Sequence, residues 1–333
     1  MAVKTEVSLE QWQDHISLLY NLPMIIRAEG ISEGIENTNY LLVDIDGNKY
    51  IATIFEGRTN LESLDFFISW QNYLSEKLNS CAPVVYRMKD NKTSVSNLYG
   101  KPCAIFTFLT GKSIDIHCSS SCSSFASEQK QDIMRQVGAW LAKSHLISRQ
   151  YLHQEARQKV VIPETQLNLR QWRQTADKYG LFAQEAFARA IAVIEHIDAT
   201  NLDRLIIHAD LFHDNVFFIY KDGKSQLSAV IDFYFSCFDY AVYDIAVTAV
   251  AWCFNHDNIW QQQLYTSLLA GYQHFKPLTV AEVEAMPAML IRACMRFYCS
   301  RVEDYYNPNN KTHKKSPKQF WQRLEFFMRK SSV

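Results

Sequence analysis

Residues Leu205–Phe235 read LIIHADLFHDNVFFIYKDGKSQLSAVIDFYF. The apolar run Leu205-Ile206-Ile207 has the length and composition of a short buried strand. His208, Asp210 and Asn215 follow in the spacing H-x-D-x-x-x-x-N. A second apolar strand is expected over Val216–Tyr220. Asp222-Gly223 signals a turn, and a third strand is expected over Leu227–Ile231, ending at Asp232. Two carboxylates and one amide then stand at the ends of paired strands, where a rigid scaffold can make them converge. Phosphoryl transfer needs that inventory: one carboxylate to accept a hydroxyl proton, and an Asn and a second Asp to hold the magnesium that neutralises the phosphates. The bland alternative is three polar residues in ordinary turns. Spacing, strand context and the later Ile-Asp-Phe must coincide by accident for it to hold.

The stretch resembles the kinase-like phosphotransferases of the aminoglycoside and choline kinase type, whose signature is an apolar run, H-x-D-x-x-x-x-N and then I-D-F or I-D-W. The resemblance implies that Asp210 is the catalytic base and that Asn215 and Asp232 are the metal ligands. His208 is expected to pack and order the loop. His213 and Asp214 are expected to be bystanders on an exposed turn.

The chain has 333 residues, 48% of them hydrophobic, and a net charge of −1. That length suits two lobes better than one core. Near-zero charge gives no reason to expect a nucleic-acid or membrane-surface partner. No stretch approaches the ~20 continuous apolar residues of a membrane span, and the first residues have no signal-peptide core. The eight cysteines form no C-x-x-C pair. A reduced cytoplasmic protein, monomeric, is the simplest expectation.

Outward from the catalytic stretch, Leu9–Tyr20 predicts a helix capped by Ser8, with Trp12, Ile16 and Leu19 on one face. Met24–Ile26 leads into Gly30-Ile-Ser-Glu-Gly34-Ile-Glu-Asn37, and the strands Tyr40–Ile45 and Lys49–Phe55 flank the hairpin signal Asp46-Gly47. Backbone N–H groups of a glycine-bearing turn can lie over phosphates, so Gly30, Gly34 and Asn37 are candidate nucleotide contacts; an ordinary hairpin turn is the alternative. Asn60–Leu78 has helical periodicity. Pro83–Tyr86 and Pro102–Phe108 read as strands. By the kinase resemblance the second leads into a hinge that meets adenine, which adds Phe106 and Phe108. Kinases carry a phosphate-pairing Lys on the strand after the glycine turn, and here Thr53 stands in its place. The phosphates then depend on magnesium, backbone N–H groups or another cation such as Arg58.

The boundary between lobes is expected near Leu109–Lys112. A nucleotide-binding lobe over 1–109 with an antiparallel sheet then precedes a mainly helical catalytic lobe over 110–333, an α+β, protein-kinase-like fold. Helices are expected over Glu128–Ile147, Thr165–Tyr179, Leu181–Ile197, Tyr243–Phe254, Trp260–Tyr272, Val280–Tyr305 and Gln319–Arg329. Pro287 should kink the helix after Val280 or detach its first turn. His145, beside an apolar stripe, is expected to be a satisfied core histidine.

A closer likeness narrows the class. The opening MAVKTEVS, GISEGIENTNYLL, HADLFHDNVFF, the run from IDFYFS through AVAWCF, LLAGYQHFKPLT and RFYCSRVEDYY are similar to bacterial homoserine kinases of this kinase-like type. That subgroup also has threonine at the Thr53 position. The resemblance implies ATP and Mg2+ as cofactors and phosphorylation of the side-chain hydroxyl of L-homoserine. A kinase for choline, ethanolamine or an aminoglycoside, and a non-catalytic pseudokinase, remain as alternatives.

An amino-acid substrate brings a carboxylate, which a forked guanidinium grips best. Leu290, Cys294, Phe297 and Arg301 share helical spacing, so Arg301 falls on an apolar stripe where its charge needs a partner. Two readings stand: a structural role, paired with a carboxylate such as Asp244 or with the head group snorkelling to water, or binding of the homoserine carboxylate. Asp239 is the chosen partner of the ammonium, with Tyr234 and Phe235 as weaker candidates. Asp244, near a helix start, is expected to be structural.

Overall fold

The computed structural model describes residues 3–32, 37–56, 61–79, 81–90, 93–117, 126–153, 162–165, 169–307 and 315–330. The chain forms two compact units: Met1–Thr110 with Ala229–Tyr234, and Gly111–Ser228 with Phe235–Val333.

In the first unit, α1 (Leu9–Leu19) begins with a capping box in which Ser8 and Gln11 satisfy each other's backbone N–H groups. It lays Trp12 and Ile16 on a sheet of β1 (Ile25–Ile31), β2 (Thr38–Asp44) and β3 (Lys49–Ile54). After α2 (Leu64–Lys77), β4 (Ser96–Leu98) and β5 (Lys101–Thr107) complete the order β1-β2-β3-β5-β4, with antiparallel pairing throughout. Strand alternation sorts the residues of β3. Tyr50, Ala52 and Ile54 join the α1 core, whereas Ile51 packs with Phe55 and Phe106 in a second cluster that also takes Tyr234. Pro83–Tyr86 makes only an isolated bridge, Val85 to Phe106, rather than a strand; Pro83 supplies no backbone N–H to a ladder.

The second unit opens with β6 (Lys112–Ser113) and the long α3 (Ser127–His153), followed by α4 (Leu169–Tyr179) and α5 (Glu185–Glu195). Then come β7 (Arg204–Ile207), β8 (Val216–Lys221) and β9 (Lys224–Val230), whose last two residues already belong to the first unit. The β8–β9 turn is the one expected: Asp222 (φ 52°) and Gly223 (φ 78°) are both left-handed, as a tight hairpin requires. One pairing differs from expectation. β7 does not join β8; it pairs antiparallel with β10 (Cys237–Tyr240), while β8 lies between β6 and β9.

Four helices close the unit as described: α6 (Ala241–Trp252), α7 (Gln262–Gln273), α8 (Val280–Tyr306) and α9 (Lys318–Lys330). Pro287 lies inside α8 and does not detach its first turn. The capping box of Thr279 and Glu282 anchors that turn, and Met286 and Met289 bury the helix on both sides of the proline.

α3 and α7 approach each other through two glycines. A Cβ at Gly138 would lie 2.1 Å from the Leu268 carbonyl oxygen, and one at Gly271 would lie 2.0 Å from that of Arg135. Neither backbone can yield by that much. Gly271→Ala is therefore expected to lower stability by about 2 kcal/mol or more, although alanine gains ~1 kcal/mol in intrinsic helix propensity. Urea unfolding checks this; an unchanged midpoint would show that the helices can separate without cost.

Candidate active site

The H-x-D-x-x-x-x-N segment is a loop fixed at nearly every residue. β7 ends at Ile207, and the chain then turns through Ala209 in a left-handed conformation (φ 64°). That geometry is costly for a residue with a Cβ. It is held from both sides. Asp244, fully buried in the first turn of α6, accepts the backbone N–H groups of His208 and Ala209, both at 2.8 Å. On the other side the Arg296 guanidinium donates to the Ala209 carbonyl.

Asp244 is itself anchored. His145 Nε2 lies 3.1 Å from its carboxylate, and His145 Nδ1 lies 2.8 Å from the Tyr272 hydroxyl. With the ring donating to the carboxylate, Nδ1 accepts from Tyr272. Burial pushes the Asp244 carboxyl up, but the hydrogen bond and charge of His145 and the His208 interactions hold it below the usual range. It is a buried anion, and His145 is the satisfied core histidine expected.

Asp210 follows directly. Its N–H donates to His208 Nδ1 at 3.2 Å, and its carbonyl accepts from Asn215 Nδ2 at 2.9 Å and from the Phe212 N–H at 2.8 Å. His208 orders the loop and sets its ring edge-on to Trp140. Trp252 Nε1 donates to the Leu211 carbonyl at 2.9 Å. Burial pushes the Asp210 carboxyl up to about 6, and Asp214 adds to this, while Arg296, Lys315 and Asn215 pull it back.

The other expected substrate contacts have partners of their own. Asp239, 2% exposed, is held by Arg292 in a two-pronged pair of 2.9 and 2.7 Å and by the Thr165 hydroxyl. Arg301 donates to the Gln319 side chain at 2.8 Å and to the Ser316 carbonyl at 3.3 Å, and it covers the Phe320 ring. The geometry favours a structural Arg301, but its partners are on α9 and just before it, not Asp244. Sequence reasoning missed Arg296. The available signal was its i, i+4 spacing from Arg292 within an apolar helix.

In the first unit, Asp232 is also left-handed (φ 64°). The Tyr234 ring packs edge-on against Phe55 and Phe67 at 5.3 and 6.0 Å. Burial, then the charge of Asp232, push its phenol far up. The Thr53 hydroxyl donates to Asn39 Oδ1 at 2.8 Å, its partner in register across β2. Phe106 is buried and Phe108 is 38% exposed. Gly30 is not in the turn; it sits in β1 opposite Tyr40, where a Cβ would lie 2.6 Å from Val3. Asn37 Oδ1 accepts the Glu56 N–H at 3.1 Å. Gly34 and Arg58 lie outside the described residues. At the loop end of this sheet Lys101 pairs with the Glu56 carboxylate at 2.5 Å.

These features define a phosphotransferase. Residues 27–278 match the phosphotransferase enzyme family, and the chain belongs to it. Among curated relatives, a homoserine kinase of Methylobacterium radiotolerans is 34% identical, covering 98% of this chain and 96% of its own. A homoserine kinase of Bartonella henselae is 31% identical over 100% of this chain and 98% of its own. Among solved structures, an amicoumacin kinase in complex with AMP-PNP and Ca2+ aligns with a TM-score of 0.72 at 15% identity, covering 96% of this chain and 93% of its own. A spectinomycin phosphotransferase in complex with ADP and spectinomycin aligns at 0.67 and 12% identity, covering 99% and 100%. Among the described residues, no helix is long and apolar enough to cross a membrane.

Proposed function

We propose that this protein transfers the γ-phosphoryl group of ATP to the side-chain hydroxyl of L-homoserine, as a monomer in the cytoplasm. Near-full-length similarity to homoserine kinases is the observation that carries the substrate, and the braced Asp210 loop supports the chemistry. Asp210 orients the hydroxyl and takes its proton as oxygen attacks the γ-phosphorus. The bond to the β–γ bridging oxygen breaks, and ADP leaves with that electron pair. The described cysteines are free thiols, in keeping with a reducing compartment.

Asn215 and Asp232 are the residues proposed to hold Mg2+. Both are hard oxygen donors, and the Asn215 nitrogen is committed to Asp210, which leaves its Oδ1 as the donor. When bound, the ion neutralises phosphate charge. Activity should be lost in excess EDTA and restored by Mg2+ or Mn2+. Asp232→Ala should be more damaging than Asn215→Ala because it also removes a charge. Full turnover in EDTA would exclude this role.

A coupled ADP-release assay against homoserine, choline, ethanolamine, serine and kanamycin tests the substrate. Homoserine should give the highest kcat/KM. Better turnover of choline or kanamycin would move the protein to another subgroup, and no ADP release with any of them would favour a pseudokinase.

A further inference from the structure

α8 carries three arginines in different states. Arg292 is matched by the Asp239 carboxylate, and Arg301 by Gln319 and the Ser316 carbonyl. Arg296, between them, is only 6% exposed, yet no carboxylate among the described residues forms an ion pair with it. Among the described residues its Nη1 donates to the Ala209 carbonyl, and the Tyr243 hydroxyl interacts with the same guanidinium. The guanidinium otherwise lies on aromatic faces, 4.8 Å from the Phe297 centroid and 5.5 Å from that of Phe235. A largely buried cation that has donors to spare and no carboxylate beside it is costly unless an anion completes it. The buried Tyr243 hydroxyl acts on this guanidinium by charge and by side-chain hydrogen bonding, and it has no other hydrogen-bond partner among the described residues.

We infer that Arg296, with the Tyr243 hydroxyl, receives the α-carboxylate of the amino-acid substrate. The inference rests on the homoserine reading above and replaces Arg301 in that role. Placement and reach agree with it. Arg296 holds the residue immediately before Asp210, and the two side chains sense each other's charge. In extended homoserine the hydroxyl oxygen and the carboxylate carbon are about 5 Å apart, four bonds. A hydroxyl at Asp210 therefore brings its carboxylate within range of the neighbouring guanidinium. A forked donor between aromatic faces suits a planar anion.

The competing role is purely positional, with Arg296 acting only through Ala209. The two roles separate in one experiment: kcat/KM for homoserine and for its decarboxylated analogue, 3-aminopropan-1-ol, at saturating Mg·ATP, in wild type, Arg296→Gln, Arg296→Lys and Tyr243→Phe. Wild type should prefer homoserine by at least ~10²-fold. Arg296→Gln should narrow that ratio by about tenfold or more, chiefly through KM for homoserine, and Arg296→Lys should recover part of it. Equal loss on both alcohols with an unchanged ratio overturns the inference in favour of positioning. A wild-type ratio near one also overturns it, while leaving the alcohol-kinase chemistry standing. Absence of ADP release from wild type with homoserine overturns the homoserine reading itself, and this inference with it. Should both Arg296 variants fail to fold, Tyr243→Phe decides: narrowing by about threefold supports the inference, and an unchanged ratio overturns it.

Discussion

Asp210→Asn should lower kcat by at least ~10²-fold while leaving the fold intact. Asparagine keeps the shape of the side chain and cannot accept the hydroxyl proton. The shorter hydrogen bonds that fix this residue run through its backbone N–H and carbonyl and stay in place, and the 3.4 Å bond from Asn215 Nδ2 to the side chain can be accepted by the Asn amide oxygen. The direction of the stability change is also set. Burial lifts the folded-state carboxyl to about 6, above its unfolded value of roughly 3.9. Between those values the native state binds more protons, so the contribution of this group to stability falls as pH rises. Above pH 6 the wild type carries a half-buried carboxylate charge that Asn lacks, and the variant should melt at the same temperature or higher. For the wild type, kcat/KM should decline as pH falls through about 6, because only the ionised form of the free enzyme accepts a proton. Near-normal turnover in the variant would remove Asp210 from the role of base.

Asp244→Ala should be the most destabilising single change at the site. It strips the acceptor from two buried backbone N–H groups and from His145. Each orphaned donor costs about 1–3 kcal/mol, and all three lose a hydrogen bond to a charged acceptor. A fall in Tm on the order of 10 °C follows for units of this size. The rate should fall as well, by about tenfold or more, because Ala209 loses the contacts that hold it left-handed immediately before the base. An unchanged melting temperature would mean that the loop is held elsewhere. His145→Ala should reproduce part of the loss, since it leaves Asp244 and Tyr272 without their shared partner.

Local signals in the chain were sufficient for much of this. The spacing of His208, Asp210 and Asn215, the Asp222-Gly223 turn, the Ser8 cap and the helix periodicities each depend on residues within a few positions of one another. Such features are written in backbone preference and side-chain period. The sequence alone therefore determined the class of chemistry, the α+β order of elements and the residue expected to act as base.

Tertiary structure decided the rest, because it depends on pairs far apart in the chain. β7 chose β10 over β8, and His145 met Asp244 across 99 positions. The arginines show the reason most plainly. Periodicity selected Arg301 because Leu290, Cys294 and Phe297 share its stripe. From Met289 to Cys299, however, all residues but Arg292 are buried, so α8 has no single inward face for a stripe to mark. Which guanidinium found a carboxylate, which found an amide and which was left beside the catalytic loop was settled only by the elements packed around that helix.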